Sequence, residues 1–202
     1  MTPMRILILA VTLLTGCAIE RPPVDPDTYV LDAVGDPAVA GERGATVLLV
    51  TPPRAEPGYE GTGIAYVETP LRLDYYTRSR WAAPPAQMLA PLLVATLERS
   101  GAFRAVATLP SSVAADYQLD LTLLQLRQRF LERPSTVELA LRVHLIDTRD
   151  SRMLASRRFE TVETAPSDDA YGGVQAANRA LGRLLTEIAD YVARQVGGPP
   201  RE

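Results

Sequence analysis

The chain has 202 residues, 47% of them hydrophobic, a formal charge of -3, one cysteine and one histidine. That length suits one domain with a tail, and the mildly acidic balance excludes the basic footprint of a nucleic-acid binder. A single cysteine and a single histidine exclude a disulfide framework and a Cys/His zinc cluster.

The chain opens with an uncharged start, Arg5, an apolar run from Ile6 to Leu14, and the small residues Thr15 and Gly16 before Cys17. This is the pattern of a secretory signal peptide, and the run is far shorter than the roughly 20 residues of a spanning helix. The tetrapeptide Leu14-Thr15-Gly16-Cys17 resembles the lipobox of bacterial lipoproteins. That resemblance implies diacylation of the Cys17 thiol, cleavage before it and acylation of the new amino terminus, with palmitate among the chains. The plain alternative is an ordinary signal peptide with a chance cysteine, but the cysteine sits at the one position this chemistry requires. Ala18, rather than Asp, follows it, which in lipoproteins of this kind accompanies export to the outer membrane. Two or three acyl chains, at about 0.8 kcal/mol per buried methylene, hold a chain stably on a membrane. Removal of residues 1–16 takes away Arg5 alone among the charged residues and leaves a formal charge of -4.

Residues 17–44 read as the lipidated cysteine and a flexible tether, rich in Pro, Asp, Gly and Ala without a sustained period. Thr46 to Val50 is a short apolar run that fits a strand buried on both faces. Glu56 to Gly63 is turn chemistry, and Ile64–Val67 and Leu71–Tyr76 read as two strands with Pro70 between them. The stretch Pro85–Ser100 predicts a helix with Pro84 and Pro85 at its start, an apolar stripe through Leu89, Leu93 and Leu97, and a bend at Pro91. Phe103–Thr108 is a further strand candidate. Asp116–Leu126 alternates until the apolar phase switches near Leu123-Leu124, which predicts a bulge. Thr136–Asp147 carries an inner row of Val137, Leu139, Leu141, Val143 and Leu145, a polar turn spans Asp147–Arg152, and Met153–Glu163 returns as a third strand. The terminal helix, capped by Asp168 or Asp169, shows Val174, Ala177, Leu181, Leu184, Leu185, Ile188, Tyr191 and Val192 at spacings of three and four. The resulting expectation is an α+β fold, a mainly antiparallel sheet with two helices packed on it, over residues 45–197, followed by a tail at 198–202.

Catalytic signals are weak. His144 falls in the outer row of its strand among charged neighbours, and no G-x-S-x-G elbow accompanies it. Asp168-Asp169 is explained by helix capping. The glycines match neither a P-loop nor a dinucleotide fingerprint. No enzyme, cofactor or metal site is expected.

The block Pro57–Val106 resembles the auxiliary lipoprotein component of ABC-type transport systems. It carries a "P-G-Y" turn, an "I-A-Y" strand, an "L-x-Y-Y" strand, "R-W-A-x-P-P" and a helix ending "L-E-x-S-G-x-F". The likeness extends through Asp120–Gln125 and Ala155–Glu160. The resemblance implies a non-catalytic, outer-membrane lipoprotein facing the periplasm that serves transport of lipids or other hydrophobic molecules. The implied partners are an ABC permease, its ATPase and a mammalian-cell-entry type substrate-binding protein, with self-association a further expectation. A structural envelope lipoprotein without a transport role is the alternative. Tyr75, Tyr76, Arg78, Arg80 and Trp81 form the candidate partner surface, read as a strand end and the surface connection leading into the Pro84-Pro85 helix start. Tyr, Trp and Arg are enriched at binding hot spots. The alternative reading is that Trp81 plugs the core beneath the helix start while the two arginines are solvated.

Overall fold

A computed structural model describes residues 25–39 and 44–197. Among them the elements run β1 (Asp27–Tyr29), β2 (Val47–Val50), β3 (Arg54–Ala55), β4 (Gly63–Thr69), β5 (Arg72–Trp81), α1 (Pro85–Arg99), β6 (Ala105–Thr108), β7 (Tyr117–Arg129), β8 (Thr136–Asp147), β9 (Arg152–Thr164) and α2 (Ala170–Val196). The cleavage and acylation expectations at residues 1–17, and the tail at 198–202, lie outside the described residues.

All nine strands join one sheet with β7 as its spine. One edge of β7 pairs antiparallel with β8 along its whole length, and β8 pairs antiparallel with β9. The other edge receives three short strands end to end and all parallel: β2 beside Tyr117–Leu119, β3 beside Thr122–Leu123 and β4 beside Gln128–Arg129. Beyond them β6 lies parallel to β2, β5 antiparallel to β4, and β1 parallel to β5. The α+β expectation holds, but the sheet is mixed rather than mainly antiparallel. Short connections do give antiparallel neighbours at β4–β5 and β7–β8–β9. The chain between β2 and β4 is instead laid along a single long strand, and β2 meets β6 across the α1 crossover. These arrangements leave no local turn signal.

The bulge expected near Leu123-Leu124 is present: Leu123 faces Leu141 and Gln125 faces Ala140, so Leu124 is the extra residue. It switches the inner row of β7 from odd to even numbers, which keeps Leu126 in the core. The core lies between the inner rows of β7 and β8 and the apolar stripes of both helices, with Leu89, Leu123, Leu126, Leu139, Ala177 and Leu181 meeting at one point. Helix α1 starts with Pro85 in its first turn and contains Pro91 on its exposed side. Of the two candidate caps on α2, Asp169 accepts from the Gly172 N–H at 2.7 Å. Asp168 instead accepts from the Ser135 N–H at 2.8 Å, which holds its carboxyl below the usual carboxylate range.

The tether expectation needs a correction for residues 27–38. β1 joins the sheet, and the following residues run along α2 as a strap. Asn178 Oδ1 accepts from the N–H groups of Asp32 and Ala33 at 2.9 and 3.3 Å. Thr186 Oγ1 accepts from Asp36 N–H at 2.9 Å and Asp190 Oδ1 from Ala38 N–H at 3.1 Å. Between them Gly182 stands beside Ala33, and Gly35 is wedged so tightly that a Cβ there would meet the Thr186 nitrogen and Thr96 Cγ2 at 2.7 Å. Asn178, Gly182, Thr186 and Asp190 are four residues apart, so they form one stripe on α2. Leu31 of the strap is buried and joins the core.

Candidate functional site

The stretch proposed as a partner surface is a strand throughout, not a strand end followed by a connection. β5 extends to Trp81 because its far half finds partners on both sides: Arg80 faces Gly63 on β4, and Ser79 to Trp81 pair with β1. Neither partner was visible locally. Trp81 is only 3% exposed and belongs to the core, with its N–H donating to the Thr62 carbonyl at 2.8 Å. It is thereby removed from the partner surface.

The remaining four residues divide by exposure. Tyr75 is exposed, lies against Gly63, and donates from its hydroxyl to the Gly58 carbonyl at 2.8 Å. Tyr76 is half-buried and its hydroxyl donates to Gln128 Oε1 at 3.0 Å. Its ring lies 4.8 Å from that of Tyr66, which meets Phe130 edge-on at 6.1 Å. Burial, reinforced by the negative charge of Asp169, raises the Tyr76 phenol above its ordinary range, so it is a neutral donor at physiological pH. Arg78 is exposed and, among the described residues, joins no ion pair. Arg80 is exposed and its Nε reaches Thr28 Oγ1 at 3.4 Å. Tyr75, Arg78 and Arg80 are therefore accessible, whereas Tyr76 serves a buried network.

That network joins the start of α2 to the β7–β8 connection. Gln128 donates to Ser135 Oγ at 2.9 Å while accepting from Tyr76, and Gly173 leaves room for its amide. Glycine here weakens the helix locally but is required by the close approach.

Catalytic geometry is not assembled among the described residues. Asp120, His144 and Ser156 share one ladder row on the outer face of the sheet, and they are the residue types of a hydrolytic triad. Yet Asp120 Oδ1 accepts from Thr51 Oγ1 at 2.7 Å and Gln118 Nε2 at 2.8 Å, and no hydrogen bond joins the three to one another. No group of three or more His, Cys, Asp or Glu side chains with metal-binding geometry occurs among the described residues. Nor is any helix there long and apolar enough to cross a membrane. Two open grooves flank the strap. One, of about 540 Å³, is lined by Ala33, Asp36, Glu163, Arg179 and Arg183, where both arginines pair with Glu163. The other, of about 470 Å³, is lined by Tyr29, Val30 and Tyr171.

The residues that the sequence reading missed are those of the strap stripe. Its signal was present: a row of Asn, Gly, Thr and Asp at four-residue spacing beside the apolar face of α2. An isolated polar row of this kind reads as solvated until the partner backbone is seen.

Fold and surface together define a class: an α+β domain with a nine-stranded mixed sheet, two helices and a strapped amino-terminal segment. The chain belongs to the family of ABC-type transport auxiliary lipoprotein components, whose model matches residues 29–189 and so takes in the strap as well as the domain. Among solved structures, the chain is similar to protein XCC0632 of Xanthomonas campestris, with 25% identity, a TM-score of 0.76, and coverage of 84% of this chain and 96% of that one. It also resembles an uncharacterized protein (17% identity, TM-score 0.63, covering 86% and 100%). Protein CT253 of Chlamydia trachomatis is similar at 12% identity and TM-score 0.52, covering 77% and 98%. The last two likenesses speak for the fold alone. Comparison with curated proteins finds no match.

Proposed function

We propose that this protein is a non-catalytic accessory lipoprotein of an ABC-type envelope transport system that moves lipids or other hydrophobic molecules. The family match over residues 29–189 carries this reading. In it, Cys17 is acylated and holds the chain on the outer membrane facing the periplasm. The domain docks on a permease–ATPase assembly or its mammalian-cell-entry type substrate-binding protein, and Tyr75, Arg78 and Arg80 supply the contact. Three exposed side chains of hot-spot type on one strand suit such a surface. The absence of any catalytic role for His144 is part of the same proposal.

The test is capture of the acylated full chain from membranes, followed by identification of what comes with it. A permease, its ATPase or a substrate-binding protein of that system is expected. The Arg78→Glu, Arg80→Glu double variant should melt as the wild type does and lose most of that capture. A folded, acylated wild type that captures none of these components would overturn the transport reading. A folded double variant with undiminished capture would overturn the placement of the surface. Separately, Cys17→Ala should leave unprocessed, unacylated precursor.

A further inference from the structure

Leu71 departs from two local preferences at once. It is the second residue of the Pro70–Leu71 turn between β4 and β5, with φ of 67°, where glycine or asparagine is the usual occupant after proline. Its side chain is 107% exposed, so no packing offsets the backbone strain. Positions where a residue contradicts its local environment are those where function is expected to be the reason.

A second apolar tip stands beside it. Val67 pairs with Arg129, and the Phe130 N–H donates to the Val67 carbonyl at 2.8 Å. The β4–β5 turn and the β7–β8 connection therefore emerge together at one end of the sheet. The second connection carries Leu131, 37% exposed, within a run of exposed residues at 131–134.

The chain also leaves the domain in that direction. β1 runs parallel to β5, with Asp27 beside Ser79 and Tyr29 beside Trp81. Traced backward from Tyr29, the backbone therefore points along β5 toward Arg72 and the Leu71 turn. Arg80 and Arg72 face Gly63 and Thr69, six residues of β4 or about 20 Å, because β5 is bulged between them. Thr28 stands beside Arg80, and the eleven residues from Thr28 to Cys17 span at most about 38 Å. A fully extended segment drawn toward the turn therefore reaches at most about 18 Å past Arg72.

We propose that the Leu71 and Leu131 tips insert into the lipid interface of the bilayer that holds the Cys17 acyl chains, standing the domain on end with its sheet upright. The inference rests on the reading of Cys17 as the acylated residue. Arg72 and Arg133, exposed beside the two leucines, can stay at headgroup level while the leucines go deeper. Glu68 near the end of β4 and Glu132 on the β7–β8 connection offset those charges, so the contact is apolar insertion and needs no anionic lipid.

The test uses the full acylated chain in phosphatidylcholine vesicles with and without brominated lipid, and mass spectrometry of Cys17 in the same samples. Leu71→Trp reports the tip, and Val162→Trp, on β9 at a site 59% exposed, is the control. Trp81, buried, gives the constant background. Brominated lipid should lower the Leu71→Trp emission about twofold and leave the control unchanged, since bromines quench only at acyl depth. An acylated, vesicle-bound protein whose Trp at 71 is quenched no more than the control overturns the inference and leaves the anchor standing. A chain found without acyl groups on Cys17 overturns both. Leu71→Gly checks the strain argument: in detergent it should melt within about 2 °C of wild type or above it. A fall of more than about 5 °C would mean that the leucine packs on the domain, and would also overturn the inference.

Discussion

Replacing Gly173 by alanine should destabilise the domain, although alanine is the better helix former. Helix propensity alone would favour the change by up to about 1 kcal/mol. Against that, a Cβ at this position would stand 2.8 Å from Gln128 Cδ and closer still to its Oε1. Gln128 is 2% exposed and held on both sides, by Ser135 and by Tyr76. Its amide cannot retreat without breaking one of those bonds, which leaves a buried polar group unpaired at about 1–3 kcal/mol. Crowding of the packed site adds about 1–3 kcal/mol. The net expectation is a loss of about 1–5 kcal/mol. Urea denaturation followed by Trp81 fluorescence and far-ultraviolet circular dichroism measures it. Adding Gln128→Ala should recover part of the loss, because removing the amide removes the clash; the two substitutions should couple by about 0.5–3 kcal/mol. A Gly173→Ala protein as stable as wild type, or more so, would refute the close-approach argument.

Asn178→Ala removes two acceptor bonds to the strap and a donor bond to the Val30 carbonyl. It should cost about 1–3 kcal/mol, with faster hydrogen exchange at residues 30–38 by mass spectrometry. Leu184, fully buried on α2, should lose about 2–5 kcal/mol on truncation to alanine in the same denaturation assay. Asp147 is held at about 2, below its ordinary 3.8, first by the side-chain hydrogen bond from Arg149 and then by that residue's backbone N–H. A depressed folded value means stability present above about pH 4 and lost as pH falls through about 2. Melting temperatures between pH 2 and 5 should show that slope, and Arg149→Met should flatten it.

The long elements were legible because each repeats its pattern many times. β8 shows five apolar residues in strict alternation, α2 eight at helical spacing, and the phase switch in β7 located the bulge to within a residue. What escaped was structure held by distant partners. β1 and β3 have three and two residues, too few for any period, and exist because β5 and β7 offer them edges. The strap is fixed by side chains about 150 positions away, so its Pro, Asp and Gly content reads as linker until α2 is beside it. Trp81 reads equally as a surface contact or a core plug for the same reason. The strand pairing that turns it inward comes from β1 and β4, not from its neighbours in sequence.

The strap also decides how the domain answers a pull on its amino-terminal side. Tension transmitted through Asp27 acts along the axis of β1, whose ladder with β5 is parallel to that axis. The bonds are then strained in shear and must fail together, unlike a hairpin edge that unzips one bond at a time. Behind them the attachments at Asn178, Thr186 and Asp190 form a second row along the same line, and Gly35, clamped between the helices, blocks sliding. A domain built in this way transmits force to its core without first unravelling.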